Sequence, residues 1–224
     1  MMITKMKKLL ILLLIAPVLG FGQGTKIKDN TISIVVTNED LTASELHSRL
    51  NNAIANIFNS ANDVVQLNDI EGKRIVVKGL AKIIVANSTK AMYKKTKAIP
   101  ETYEYDHDIA LNIASKDGRY RLQLTYSDGK MWIPESQYNI AQWKPLEYPA
   151  KMDYTQKDID FWIDYWEKDM ENSNWSFVGK KRKQLYLDFV PKQIKLYETT
   201  LIEYANNLFV EIIKAVDLGE TDDW

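Results

Sequence analysis

The chain has 224 residues, of which 46% are hydrophobic and 26% are charged. These values are typical of a globular protein, and they exclude a disordered chain, a collagen and a polytopic membrane protein. Lysine and arginine (29) nearly balance aspartate and glutamate (30), which argues against a nucleic-acid-binding protein, because such proteins carry a basic surplus. There is no cysteine, so disulfides, zinc–thiolate sites and cysteine nucleophiles are excluded.

Residues 1–22 have the pattern of a secretory signal peptide. Three lysines precede an uncharged run of 11 residues from Leu9 to Leu19, and Gly20-Phe21-Gly22 supplies small residues for cleavage. An uncleaved anchor is the alternative, although a membrane span needs roughly 20 apolar residues. We predict cleavage between Gly22 and Gln23 and a periplasmic or secreted protein with a mature net charge of −1 − 3 = −4.

The mature chain begins with a predicted strand and a predicted helix. The β-branched run from Thr31 to Val36 favours a strand. Thr42 and Glu45 form a capping box at the start of a helix that ends near Asn59. Its predicted buried stripe has helical spacing and consists of Leu46, Leu50, Ala53, Ile54, Ile57 and Phe58.

Two β-hairpins follow in the sequence. The first joins 64–69 to 73–85 through Ile70-Glu71-Gly72, with Gly72 left-handed, Val65 opposite Val77 and Leu67 opposite Ile75. The second turns at Asp117-Gly118, which is a strong two-residue turn signal. Counting outward from that turn pairs apolar with apolar residues on one face: Ile113 with Leu122, Leu111 with Leu124, and Ile109 with Tyr126.

The remainder of the chain contains an aromatic segment and a long helix. Three prolines interrupt the segment 131–153, and Thr155 and Asp158 then start a shorter helix. Pro191 is predicted to precede the last helix, whose buried stripe consists of Ile194, Tyr197, Leu201, Ala205, Leu208 and Ile212. Residues 219–224 are predicted to form a frayed acidic tail.

Several features of the chain resemble a known family. They are the signal peptide, the helix that leads into Ser60-Ala61-Asn62-Asp63-Val64-Val65-Gln66, the stretch from Gly72 to Gly79, and Lys116-Asp117-Gly118-Arg119-Tyr120-Arg121. The family is domain-of-unknown-function family 4468, which consists of exported proteins of Gram-negative bacteria with a fold like that of the TATA-binding protein. The resemblance covers roughly residues 31–126. It implies a fold and a location, but no activity and no functional residues, because a shared topology does not imply a shared function.

The predicted fold is therefore α+β, with the order β-α-β-β-β-β-α. About five strands form a curved antiparallel sheet, and helices pack on one of its faces. We predict a signal peptide over 1–22, a β-α-β4 core over 23–130, an aromatic-rich insert over 131–190, a core-completing helix over 191–218 and a tail over 219–224.

The two histidines give little support to a catalytic or metal site. His107 lies between Asp106 and Asp108 and is predicted to face Asp128, but alternation places Asp106 and Asp108 on the opposite face of the strand. We therefore predict a structural histidine at the rim of the sheet. His47 lies beside the buried stripe of the first helix. The chain has no Gly-x-Ser-x-Gly pattern, and we assign no catalytic residue, metal ligand or cofactor.

Two groups of cations are candidates for binding anions. Arg119 and Arg121 share the polar face of one strand and suit a phosphate or a carboxylate, or they form a solvated face. The run from Lys180 to Lys183 suits an anionic lipid or polysaccharide, or it is simply solvated.

The aromatic insert is the most unusual feature of the sequence. Five of the six tryptophans lie within it: Trp132, Trp143, Trp162, Trp166 and Trp175. Exposed tryptophan and tyrosine side chains typically anchor binding surfaces, whereas buried ones would form a second core between the insert and the sheet. Trp162 and Trp166 share a helix face, so Tyr165 is predicted to be exposed. The candidate binding residues are Trp143, Tyr165, Trp175, Arg119 and Arg121.

These observations favour a non-catalytic module that binds a protein or an envelope component such as a glycan, without nucleic acid and without a transmembrane span after cleavage. The alternative is an envelope-directed hydrolase that uses a carboxylate pair, which requires a cleft joining two acidic residues with shifted pKa values. The sequence determines neither the ligand nor the oligomeric state.

Overall fold

The computed structural model describes residues 25–58, 64–88, 90, 100–133, 142–145, 150–172 and 179–218. The predicted signal peptide and acidic tail lie outside these residues. The strands and helices are β1 (Lys26–Lys28), β2 (Thr31–Thr37), α1 (Ala43–Ile57), β3 (Val65–Asp69), β4 (Arg74–Ala86), β5 (Thr102–Lys116), β6 (Arg119–Ile133), β7 (Gln142–Pro145), α2 (Gln156–Asn172) and α3 (Lys180–Leu218).

The fold is α+β, as predicted, but its antiparallel sheet has seven strands instead of about five. The order is β1-β2-β6-β5-β4-β3, and β7 pairs with the far half of β6. The two unpredicted strands, β1 and β7, contain three and four residues. Such short segments show no clear alternation, and they are strands only because β2 and β6 offer free edges for pairing.

The predicted register of the second hairpin is confirmed near its turn. Ile113 pairs with Leu122, Leu111 with Leu124 and Ile109 with Tyr126. Farther from the turn, a bulge between His107 and Ile109 places His107 opposite Gly129. The prediction that it faces Asp128 is therefore wrong, because β6 contains one extra residue at this point.

The first hairpin differs from the prediction in two details. Val65 pairs with Val77 as expected, but a bulge in β3 pairs Leu67 with Val76 instead of Ile75. The left-handed turn residue is Lys73, with φ of 53°, and not Gly72. The turn is longer than predicted because the Asp69 carboxylate accepts a hydrogen bond from the Gly72 N–H at 2.8 Å.

Helices α1 and α3 pack on one face of the sheet and form a single apolar core with it. The buried stripe of α1 includes Leu46, Leu50 and Ile54, and that of α3 includes Leu201 and Ile212. All six residues of the predicted stripe of the last helix are buried. Helical and strand periodicity together therefore locate the core correctly.

The last helix begins at Lys180, so the prediction that Pro191 precedes it is wrong. Pro191 lies inside α3, where it cannot donate a hydrogen bond to the carbonyl of Leu187. The helix nevertheless continues through the proline, since Leu187 and Val190 before it and Ile194 after it are buried. None of the described helices combines the length and apolar character needed to cross a membrane.

Candidate functional site

Five aromatic side chains on α2 and α3 form a continuous series, which we call the aromatic ladder: Phe161, Trp162, Tyr165, Trp166 and Tyr186. Successive rings meet edge to face, with centroids 5.2, 5.5, 5.5 and 5.7 Å apart. Such pairs are favourable by about 0.5–1.5 kcal/mol beyond the area they bury. The contacts hold the ladder in one arrangement.

A capping box fixes the start of α2. The Asp158 carboxylate accepts hydrogen bonds from the Thr155 N–H (2.8 Å) and hydroxyl (2.6 Å). Asp158 also pairs with Lys151 at 2.8 Å. The hydrogen bond from Lys151, together with those from Thr155, lowers the pKa of Asp158 well below its usual range. The preceding segment is joined to the β1–β2 turn by the Met152 N–H, which donates to the Asp29 carbonyl at 2.8 Å. The ladder is thereby anchored to the sheet.

The ladder is partly open to solvent. Phe161 is 60% exposed and Tyr165 is 42% exposed, and the exposure of Tyr165 agrees with the helix-face argument. Trp162 and Trp166 are half-buried, as is Trp132 on β6. The described tryptophans of the insert are therefore only partly buried, while Met170 on α2 and Leu187 and Val190 on α3 are buried. The side chain of Trp143, and all of Trp175, lie outside what the structure describes.

Arg119 and Arg121 lie on the other side of the molecule from the helices. Both are exposed, and their register partners on β5 are Lys116 and Ala114. The structure does not bring these arginines together with the ladder, because they point from the sheet face opposite α1 and α3. Tyr165 and the two arginines therefore lie on two separate surfaces.

Both histidines are buried and hydrogen-bonded to described residues, and His107 does not lie at the rim of the sheet as predicted. His107 is fully buried, with Nε2 2.7 Å from the Tyr197 hydroxyl and Nδ1 3.4 Å from the Ser127 carbonyl oxygen. Its burial lowers its pKa. His47 is buried, and its Nε2 is hydrogen-bonded to Oδ1 of Asn68 at 2.9 Å. No three histidine, aspartate or glutamate side chains among the described residues are grouped to hold a metal ion.

Two clefts have no carboxylate among the described residues that line them. One, of about 530 Å³, lies at the start of α3 and is lined by Gly179, Lys180, Lys181, Arg182 and Leu185. The other has a volume of about 10 Å³ and is lined by Tyr105, Tyr154, Gln193, Ile194 and Tyr197. The hydrolase alternative requires two acidic residues in one cleft, and the described residues that line these two clefts include none.

Two members of the ladder are not among the residues predicted from the sequence. Phe161 lies on the predicted helix that Thr155 starts, but only Tyr165 is predicted to be exposed there, and Tyr186 lies before the predicted start of the last helix at Pro191. Only the continuation of α3 back to Lys180 places Tyr186 beside Trp166. The helical spacing of the residues before Pro191 is the sequence signal that indicates this earlier start of the helix.

Comparison with known proteins agrees with the resemblance drawn from the sequence. Residues 33–128 match the family described as a domain of unknown function (DUF4468) with TBP-like fold. A TBP-like protein from Parabacteroides distasonis ATCC 8503 is 12% identical, with a TM-score of 0.48 over 84% of this chain and 93% of that one. A DUF4468 family protein from Bacteroides ovatus ATCC 8483 is 11% identical, with a TM-score of 0.47 over 91% and 95%. No match was found among the curated proteins.

Proposed function

We propose that this chain, whose residues 33–128 match a family with a known fold and no assigned activity, is a non-catalytic module that binds a protein or another component of the cell envelope. In this proposal the matched segment is the scaffold, and the aromatic ladder outside it is the binding surface. The exposure of Phe161 and Tyr165 on a fixed ladder is the observation that carries the proposal.

Physical chemistry supports an aromatic helix face as a binding surface. Phenylalanine and tyrosine bring a large contact area at a small entropy cost, and such residues dominate binding energy at the centres of interfaces. The ring contacts within the ladder restrict the side chains before a partner arrives, so less entropy is lost on binding. The ladder is therefore a preorganised surface.

The charge on α2 indicates the chemistry of the partner's rim. This helix carries six acidic residues against two lysines. Charged residues at the edge of an interface select partners of opposite charge and accelerate association. A partner with an apolar centre and a basic rim fits this surface best.

Export forms part of the proposal. The pattern of residues 1–22 predicts a signal peptide, and the family resemblance implies the same location. Cleavage between Gly22 and Gln23 leaves every described residue in the mature protein. The partner is then another secreted or envelope component.

The test compares two double variants of residues 23–224. Phe161→Ser/Tyr165→Ser removes the exposed rings of the ladder, and Leu80→Ser/Ile84→Ser removes exposed apolar side chains (60% and 55%) from the sheet. A partner is identified by cross-linking in envelope extract and purified, and its affinity for each protein is then measured by calorimetry. We expect the ladder variant to bind roughly 30-fold more weakly and the sheet variant to bind like the parent.

Equal affinity of the ladder variant and the parent for the purified partner would overturn the proposal. A third variant, Trp143→Ala/Trp175→Ala, measures whether the two remaining sequence candidates extend the surface. Circular dichroism on all variants verifies that they remain folded.

A further inference from the structure

The sheet face opposite the helices carries a group of cations, which we call the basic face: Lys26, Lys28, Arg74, Lys78, Arg119 and Arg121. All six side chains are exposed. They come from β1, β4 and β6, and the pairing register places them on the same side of the sheet. None of them forms an ion pair with another described residue. The face therefore concentrates exposed positive charge on an almost neutral chain.

A row of neutral polar side chains crosses the middle of this face. Asn112, Gln123 and Ser33 pair directly across β5, β6 and β2. No hydrogen bond joins their side chains to other described residues, and all three are partly accessible. Two amides and a hydroxyl on adjacent strands therefore offer donors and acceptors about 4.8 Å apart.

The cations lie on both sides of this polar row. One neighbouring row runs from Arg74 through Ala114 to Arg121, and the other runs from Lys78 through Ala110 toward Lys28. Rows on one sheet face are separated by roughly 7 Å. Ala114 and Ala110 lie in these two rows, and their small side chains leave the polar row accessible to solvent. The register places carboxylates next to this area at Asp69, opposite Arg74, and at Asp108, opposite Leu80.

We propose that the basic face binds an acidic polysaccharide, a glycan whose sugar units carry carboxylate groups. Asn112, Gln123 and Ser33 would bond to the sugar hydroxyls, which both donate and accept hydrogen bonds as amides do. Arg121, Arg74 and Lys78 would pair with the carboxylates, and arginine suits a carboxylate through two parallel hydrogen bonds. This surface is distinct from the aromatic ladder, so each of the two proposals is tested independently of the other.

The polar row favours a glycan over other polyanions. A membrane surface attracts cations through charge alone, and a phosphodiester backbone is bound mainly by cations. Neither of them requires three partly accessible polar side chains in line between the cations, and these side chains have no hydrogen-bond partner among the described residues. An acidic polysaccharide carries hydroxyl groups that suit the polar row and regularly spaced carboxylates that suit the cations beside it.

The experiment measures the affinity of residues 23–224 for a defined oligogalacturonate, with neutral dextran of matched length, a DNA duplex and phosphatidylglycerol vesicles as comparisons. The variant Arg74→Gln/Lys78→Gln/Arg121→Gln removes three charges from the basic face. Its matched control, Lys180→Gln/Lys181→Gln/Arg182→Gln, removes three exposed charges from the start of α3. We expect roughly 10-fold weaker oligogalacturonate binding for the first variant and less than twofold change for the control.

A second variant separates hydrogen bonding from charge. Asn112→Ala/Gln123→Ala keeps every cation and is expected to weaken oligogalacturonate binding roughly fivefold. The proposal is overturned if this variant binds like the parent, if the α3 control loses as much affinity as the basic-face variant, or if DNA or vesicles bind more tightly than the oligogalacturonate. Equal binding of neutral dextran would also overturn it.

Discussion

At the scale of single residues, His107 is a titratable group enclosed in the core. It is enclosed by Tyr105, Tyr126 and Tyr197, whose ring centroids lie 5.8 to 6.5 Å from its own. The Tyr126 hydroxyl donates to the Leu201 carbonyl at 2.7 Å, so the same cluster joins the sheet to α3. Burial lowers the pKa of His107, which means that the folded protein favours the neutral ring.

The stability of the protein should therefore depend on pH through His107. The unfolded histidine takes up a proton near pH 6.5 more readily than the folded one, so its stabilising contribution is complete above that pH and is lost as the pH falls. We expect the parent to lose up to about 1.4 kcal/mol between pH 7.5 and 5.5 from this group. His107→Gln should lose correspondingly less. Urea denaturation at both pH values measures this, and parallel losses in the two proteins would contradict it.

At the scale of secondary structure, the start of α1 is the best-defined local feature. The Glu45 carboxylate accepts hydrogen bonds from the Thr42 N–H (2.8 Å) and hydroxyl (2.7 Å), and the Thr42 hydroxyl accepts one from the Glu45 N–H (3.3 Å). The Asp117 carboxylate accepts another from the Ala43 N–H at 2.7 Å. The cap thus joins the helix to the turn of the second hairpin.

Removal of this cap should destabilise the whole domain, because α1 packs directly on the core. We expect Thr42→Ala to lower the free energy of unfolding by about 1 kcal/mol. Thr42→Ser retains the accepting hydroxyl and should stay within a few tenths of a kcal/mol of the parent. Chemical denaturation of both variants measures the difference. If the alanine and serine variants are equally stable, the capping hydrogen bonds do not contribute as argued.

At the scale of the whole molecule, charge is distributed unevenly although the total is close to zero. The acidic helix α2 carries the ladder, while the opposite sheet face carries the exposed cations Arg74, Lys78, Arg119 and Arg121. Removal of the predicted signal peptide would make the mature chain more acidic, at −4, without altering either surface. A net charge close to zero therefore coexists with an acidic helix and a basic sheet face.

Export should be visible in the mass of the purified protein. In a Gram-negative host, we expect the periplasmic or medium fraction to contain a chain beginning at Gln23. Leu13→Arg places a charge in the apolar run and should abolish export, whereas Leu13→Ile should not. Intact mass spectrometry of each fraction measures both. A full-length parent chain confined to the cytoplasm would refute the signal-peptide prediction.

The sequence by itself determined those features that depend on neighbouring residues. The Thr42–Glu45 box, the turn at Asp117-Gly118 and the pairing of Ile113 with Leu122 each follow from spacing over a few positions, because local hydrogen bonds and side-chain alternation act over that range. The α+β class followed from the order of these elements, and the family resemblance agreed with it.

Only the tertiary structure decided the features that require distant segments to meet. The strands β1 and β7 exist because long neighbours offer edges, and α3 continues through Pro191 because Leu187 and Val190 are buried there. The bulges shift His107 and Leu67 away from their predicted partners. The ladder needs α2 beside α3, and the basic face needs cations from β1, β4 and β6 in one register. Such contacts are set by packing between segments far apart in the chain, and no local pattern encodes them.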